Sequence, residues 1–188
     1  MRLIHVILAL LLAILGLLGV LLGSDSPAGA TGVPHDRIAA MTAGGDGLAR
    51  LGGMGWVMSS LQVLTILLIH GLIALGVAER HRSLTFWLLL GSSAALSLAI
   101  WLGLYFSYVQ FLENGAVAYV LGYPLPTALA LFGVFLGGSY LCVIYIWGFR
   151  RFIFPEADEA AYEALRAAAA EPRKPEGSSA SDQQGGRD

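Results

Sequence analysis

The sequence predicts an all-α, polytopic membrane protein with four transmembrane helices. Three observations carry that expectation. Of 188 residues, 56% are hydrophobic and 13% charged, with a mean hydropathy of +0.70. The apolar residues gather in four long runs, and none of these runs contains Lys, Arg, Asp or Glu. A soluble domain carries about 25% charge. A helix rises about 1.5 Å per residue, so about 20 apolar residues cross the hydrocarbon layer, and a charge at mid-span costs about 2.5 kcal/mol or more.

The first run, Leu3 to Gly23, makes residues 1–23 the expected transmembrane helix 1. Arg2, the apolar run and Ala28-Gly29-Ala30 also fit a signal peptide with an A-x-A cleavage site, which would leave three spans. The length of the run favours a retained helix, because a signal core is usually about 7 to 15 residues. Residues 24–55 are expected as an external loop, in which Pro34-His35-Asp36-Arg37-Ile38-Ala39-Ala40-Met41 reads as a short helix near the membrane. Gly44-Gly45, Gly47 and Gly52-Gly53 invite a phosphate-loop reading, but no Gly-Lys-Ser/Thr follows and no strand precedes, so they read as flexible linker.

Helix 2 is expected over 56–78, the connection over 79–83, helix 3 over 84–108, an external loop over 109–126 and helix 4 over 127–149. Arg80, Arg82, Arg150 and Arg151 place the 79–83 connection and the end of helix 4 in the cytoplasm, whereas 109–126 contains no Lys or Arg. Both termini are therefore expected to be cytoplasmic, in the inner membrane. Trp56, Tyr105, Tyr108, Tyr119 and Tyr123 suit the outer interface, and Trp87, Tyr145 and Trp147 the inner one. Pro124 and Pro126 stiffen the entry into helix 4, Pro126 at a first-turn position where its missing donor is no loss.

Beyond the last span, Pro155 with Glu156, Asp158 and Glu159 suits a helix start, and a cytoplasmic helix is expected within 150–170. Its apolar stripe is thin. Residues 171–188 mix Pro, Lys, Gly, Ser, Asp and Gln, too little apolar surface to offset ordering entropy, and read as a disordered tail.

In lipid, small residues four apart let helix backbones approach. Gly91, Ala95, Ala99 and Gly103 keep that spacing in helix 3, as do Gly133 and Gly137 in helix 4, with a weaker pair at Gly19 and Gly23. These are candidate helix-packing residues, either within the bundle or against another membrane protein. Ser59, Gln62 and His70 fall broadly on one face of helix 2 and are expected to look inward, with Ser92, Ser93, Ser97 and Ser139 as candidate partners.

His70 also raises the reading of a haem-binding, electron-transfer anchor. A bis-histidine haem needs a second histidine at similar depth, but His5 and His81 lie near the cytoplasmic ends and His35 in the outer loop, while Met54 and Met58 share helix 2. A structural, hydrogen-bonded histidine is the plainer expectation. No cofactor or metal is expected. Cys142, the one cysteine, lies in an apolar run and reads as a packing residue. Catalysis needs a nucleophile beside its base, paired carboxylates or a metal cluster, and no such set is legible, so the chain reads as no enzyme. A formal charge of −2 lacks the basic surplus that nucleic acid attracts.

From about Arg82 to Phe152 the order is a helix with tryptophan and tyrosines, a short external loop, Gly122-Tyr123-Pro124-Leu125, a second helix and Arg150-Arg151. This half resembles the small-subunit family of bacterial sodium/solute symporters, a two-helix protein with a Gly-aromatic-Pro-Leu segment before its second helix. The present chain departs from that pattern in its two extra N-terminal spans, in Pro126-Thr127 and in the glycines at 133, 137 and 138. The resemblance implies a non-catalytic accessory subunit of a larger transporter in a bacterial inner membrane. A free-standing small homo-oligomer is the third expectation.

Overall fold

The computed structural model describes residues 3–25, 32–45, 47–115 and 117–170, with the side chain of Arg50 left out. The expected cleavage site and the expected disordered tail lie outside the described residues. Among the described residues four helices are long and apolar enough to cross a membrane: α1 (Leu3–Leu22), α2 (Gly47–Gly76, apolar from Leu51), α3 (Leu84–Asn114) and α4 (Leu125–Ile153). They pack in chain order, α1 on α2, α2 on α3 and α3 on α4. A further helix, α5 (Glu156–Ala170), belongs to a separate unit beginning at Phe154. The Asp158 and Glu159 amides donate to the Pro155 carbonyl at its start, so it begins after that proline and not at 150. The main chain of 150–153 instead completes α4.

Two helices exceed their expected lengths at the same end. α2 begins at Gly47, nine residues before Trp56, and α3 continues through Asn114, six beyond Tyr108. Of the glycines that read as linker, Gly47 is a contact point, as is Gly55 further along, whereas Gly44 and Gly52 meet nothing within 4 Å. A Cβ at Gly47 would lie 2.9 Å from Leu112 Cδ2, and one at Gly55 would lie 3.3 Å from the Tyr105 hydroxyl. Small residues let α2 lie close along α3, and the tertiary contact outweighs glycine's poor helix propensity. α3 stops at Gly115, which has φ +63° and whose amide caps the Phe111 carbonyl.

The short helix expected over 34–41 does not form. Val33–Pro34 (β1) pairs antiparallel with Thr42–Ala43 (β2), and the His35 amide donates to the Met41 carbonyl. Gly32 enters this hairpin at φ +81° so close to the Ala43 carbonyl that no side chain fits. Eight residues without tertiary support are too few to offset helix nucleation.

The Gly-aromatic-Pro-Leu segment is the second half of another hairpin. Tyr119–Val120 (β3) pairs with Tyr123–Pro124 (β4) across a two-residue turn, Leu121 at φ +53° and Gly122 at φ +81°. Positive φ at both positions defines a type I′ turn, which suits the twist of a hairpin. The Leu125 amide donates to the Ala118 carbonyl, tying the hairpin to the first residue of α4. Pro126 then occupies the first turn of that helix. Within α4, Leu129–Gly133 and Phe149–Ile153 are wound as π turns.

At the opposite end a small core joins Ala74 and Val77 of α2, Phe86 and Leu90 of α3 and Phe152 of α4, with Leu3 and Leu141 beside it. The Phe86 and Phe152 rings meet edge to face with centroids 5.6 Å apart. Outside this core Ile7, Val57 and Ile66 are also buried, but many large apolar side chains point outward, among them Leu15, Leu88, Phe135, Leu136 and Ile146.

Candidate functional site

The connection between α2 and α3 sets the geometry of the compact end. Glu79–His81 makes one 3-10 turn and lies beside the last turn of α4, so Arg80, Arg82, Arg150 and Arg151 share that end of the structure. Arg82 folds back on α2. Its Nε donates to the Val77 carbonyl at 2.9 Å and Nη2 to the Leu75 carbonyl at 3.5 Å, and Nη1 lies 3.8 Å from Glu79. The guanidinium thus satisfies carbonyls that the helix end leaves without intrahelical donors. Ser83 opens α3 by accepting from the Phe86 amide. Arg151 lies over the Trp147 ring, 5.6 Å from its centroid.

His70 and Ser93 join α2 to α3. Ser93 is fully buried and His70 is 7% exposed. The His70 Nδ1 is 2.8 Å from the Ile66 carbonyl, and its Nε2 is 3.2 Å from Ser93 Oγ. A carbonyl only accepts, so Nδ1 carries a proton, and in the neutral ring Nε2 accepts from the serine hydroxyl. Both ring nitrogens are therefore engaged, and haem ligation would first require breaking one of these contacts. A serine on a histidine Nε2 is also the contact of a nucleophile and its base. Ser93 is fully buried in the α2–α3 interface, and the pair ties the two helices together.

The expected inward face of α2 is narrower than its spacing suggests. Eight residues separate Gln62 from His70, a turn of about 80° at 3.6 residues per turn. With His70 buried, Gln62 falls at the edge of the interface and is exposed, while Ser59 is half-buried. Gln62 enters no hydrogen bond among the described residues. It borders a cavity of about 210 Å³ between α2 and α4, floored by α3, whose walls include Ile66, Ser97, Trp101, Val134 and Gly138. The Trp101 indole nitrogen is buried without a hydrogen-bond partner among the described residues, a state that costs about 1 to 3 kcal/mol. Trp101 was not among the expected site residues, and burial of one edge of a ring has no signature in sequence. Tyr140 was also missed: its hydroxyl lies 2.9 Å from Ser92 Oγ, whose own proton has the Leu89 carbonyl as an acceptor.

The two small-residue stripes are placed differently. Gly133 and Gly137 of α4 are buried against Ile100 of α3: a Cβ at Gly133 would lie 2.9 Å from Ile100 Cγ2, and one at Gly137 would lie 3.3 Å from its Cδ1. On α3 the buried face runs through Phe86, Leu90 and Ser93. Gly91, about 200° around the helix from Ser93, is exposed with Ala95 and Ala99. Only Gly103, at the end of that stripe, approaches α4, through Leu129.

No group of three or more His, Cys, Asp or Glu that could hold a metal occurs among the described residues. Comparison with protein-family models, with curated proteins and with solved structures yields no match.

Proposed function

We propose that the chain is a multi-pass protein of the bacterial inner membrane that serves as a non-catalytic accessory subunit beside a larger transporter, of the sodium/solute symporter type implied by its C-terminal half. The membrane part rests on four long apolar helices, charged only near their ends, with many large apolar side chains facing outward, a surface far beyond the apolar patches that soluble monomers expose. Orientation rests on the arginines gathered at one end, with both termini on that cytoplasmic side.

One observation supports the accessory role above all: Gly91, Ala95 and Ala99 carry helix-packing spacing on a face of α3 that the chain's own helices leave uncovered. Such a face suits a helix of another protein. The test is purification of the tagged chain from native membranes in mild detergent, with Gly91→Leu and Ala95→Leu for comparison. A Cβ at Gly91 meets nothing within 4 Å and Ala95 is exposed, so both larger side chains start in open space, and an unchanged circular dichroism spectrum checks that the fold is kept. The expected result is a transporter subunit recovered with the unmodified chain and lost from both variants. Recovery only as a monomer, or as a homo-oligomer, refutes the accessory reading.

A further inference from the structure

The cavity between α2 and α4 has the makings of a ligand site. It lies midway along three helices, with Gln62 at position 12 of the 26-residue apolar part of α2 and Trp101 at position 18 of the 31 residues of α3. At that depth hydrocarbon offers an amide nothing to bond, so a side chain such as Gln62 is placed there at a cost. Nearby polar groups do not relieve it. Gln62 and Ser97 line the same space, and neither bonds to another described residue. The Trp101 ring adds an aromatic wall, while its N–H is buried away from this space.

A single water does not account for the space. About 10 to 15 Å³ holds one water, and the cavity of about 210 Å³ is more than ten times larger, with aliphatic walls at Ile66 and Val134. The wall on the α4 side is kept low by Gly138, where a Cβ meets nothing within 4 Å. Small-molecule sites have this composition: apolar walls, an aromatic surface and a few polar groups that fix orientation. No Lys, Arg, Asp or Glu lines it, which excludes recognition of a charged group by pairing.

We infer that this cavity binds an uncharged, lipid-soluble molecule through a carbonyl group. The Gln62 amide and the Ser97 hydroxyl donate to the carbonyl oxygen, Trp101 contacts the rest of the head, and an apolar tail leaves between α2 and α4. The inference rests on the membrane reading above and extends it. Ring carbonyls of quinones and ester carbonyls of glycerolipids share this chemistry.

The test uses the full chain in nanodiscs with Trp56→Phe, Trp87→Phe and Trp147→Phe, so that Trp101 alone emits. One arm titrates decylubiquinone and the other a dibromostearoyl monoglyceride, both quenchers of indole emission. The expected result is saturable quenching in one arm, which names the source of the carbonyl. Affinity should fall at least tenfold in Gln62→Leu, and saturation should be lost in Gly138→Leu, which fills the cavity. Quenching that rises linearly and equally in all three proteins, in both arms, overturns the inference. Failure of the membrane reading is distinct: the chain would stay in solution without detergent, and Trp101 would emit as a water-exposed indole.

Discussion

Gly133→Ala tests the packing of α3 on α4. The added Cβ lies 2.9 Å from Ile100 Cγ2, with Leu129 Cδ2 at 3.6 Å and Ile100 Cγ1 at 3.7 Å. Ile100 is β-branched, and in a helix its χ1 holds one rotamer, so the methyl group has nowhere to swing. The helices must separate by several tenths of an ångström. Overpacking of this kind costs about 1 to 3 kcal/mol, while replacing glycine by alanine in a helix returns up to about 1 kcal/mol. Gly138→Ala is the control, since it has the same backbone gain and no neighbour within 4 Å. The two variants should therefore differ by about 1 to 3 kcal/mol, the clash alone. The assay is reversible unfolding in mixed micelles with rising sodium dodecyl sulfate, followed by circular dichroism. Ile100→Leu removes the branched methyl at nearly constant volume, and in that background Gly133→Ala should behave like Gly138→Ala. Equal stabilities of Gly133→Ala and Gly138→Ala in the unmodified background would refute the packing described here.

Ser93→Ala leaves the buried Nε2 of His70 without its hydroxyl and should destabilise the protein by about 1 to 2 kcal/mol in the same assay, whereas Ser97→Ala, with no bond to lose, should change it by less than about 0.5 kcal/mol. Arg82→Gln removes the guanidinium from the Val77 and Leu75 carbonyls. It should cost about 0.5 to 1 kcal/mol, with faster hydrogen exchange confined to the end of α2 and the 79–83 connection. Leu121→Asn relieves a left-handed leucine at the tip of the second hairpin and should stabilise that hairpin by about 1 kcal/mol, measured as slower exchange of the Leu125 amide, which bonds to Ala118.

The resemblance segment shows how a motif and its structure differ in kind. Gly122-Tyr123-Pro124-Leu125 was legible as a stiff entry to α4, because proline restricts its neighbours locally. That it pairs with Tyr119–Val120 was not, since a leucine before glycine is a poor turn signal where asparagine is the usual residue. Gly47 misled in the opposite direction. It lacks a side chain, which reads as flexibility along the chain and acts as close approach across it, to Leu112 of α3.

What the sequence determined by itself is the set of four uncharged apolar segments, the arginines that flank them and the polar residues placed within them. Hydrophobicity and charge are properties of a local window, so chain order suffices to read them. The faces that meet were decided only by the tertiary structure. Ile100 settles on Gly133 and Gly137 while Gly91, Ala95 and Ala99 stay uncovered, and Ser93 reaches His70 while Gln62 is left at the mouth of a cavity. A helix shows every side chain to some direction, and which direction is inside depends on the rotation of its neighbours, a quantity that no single segment contains.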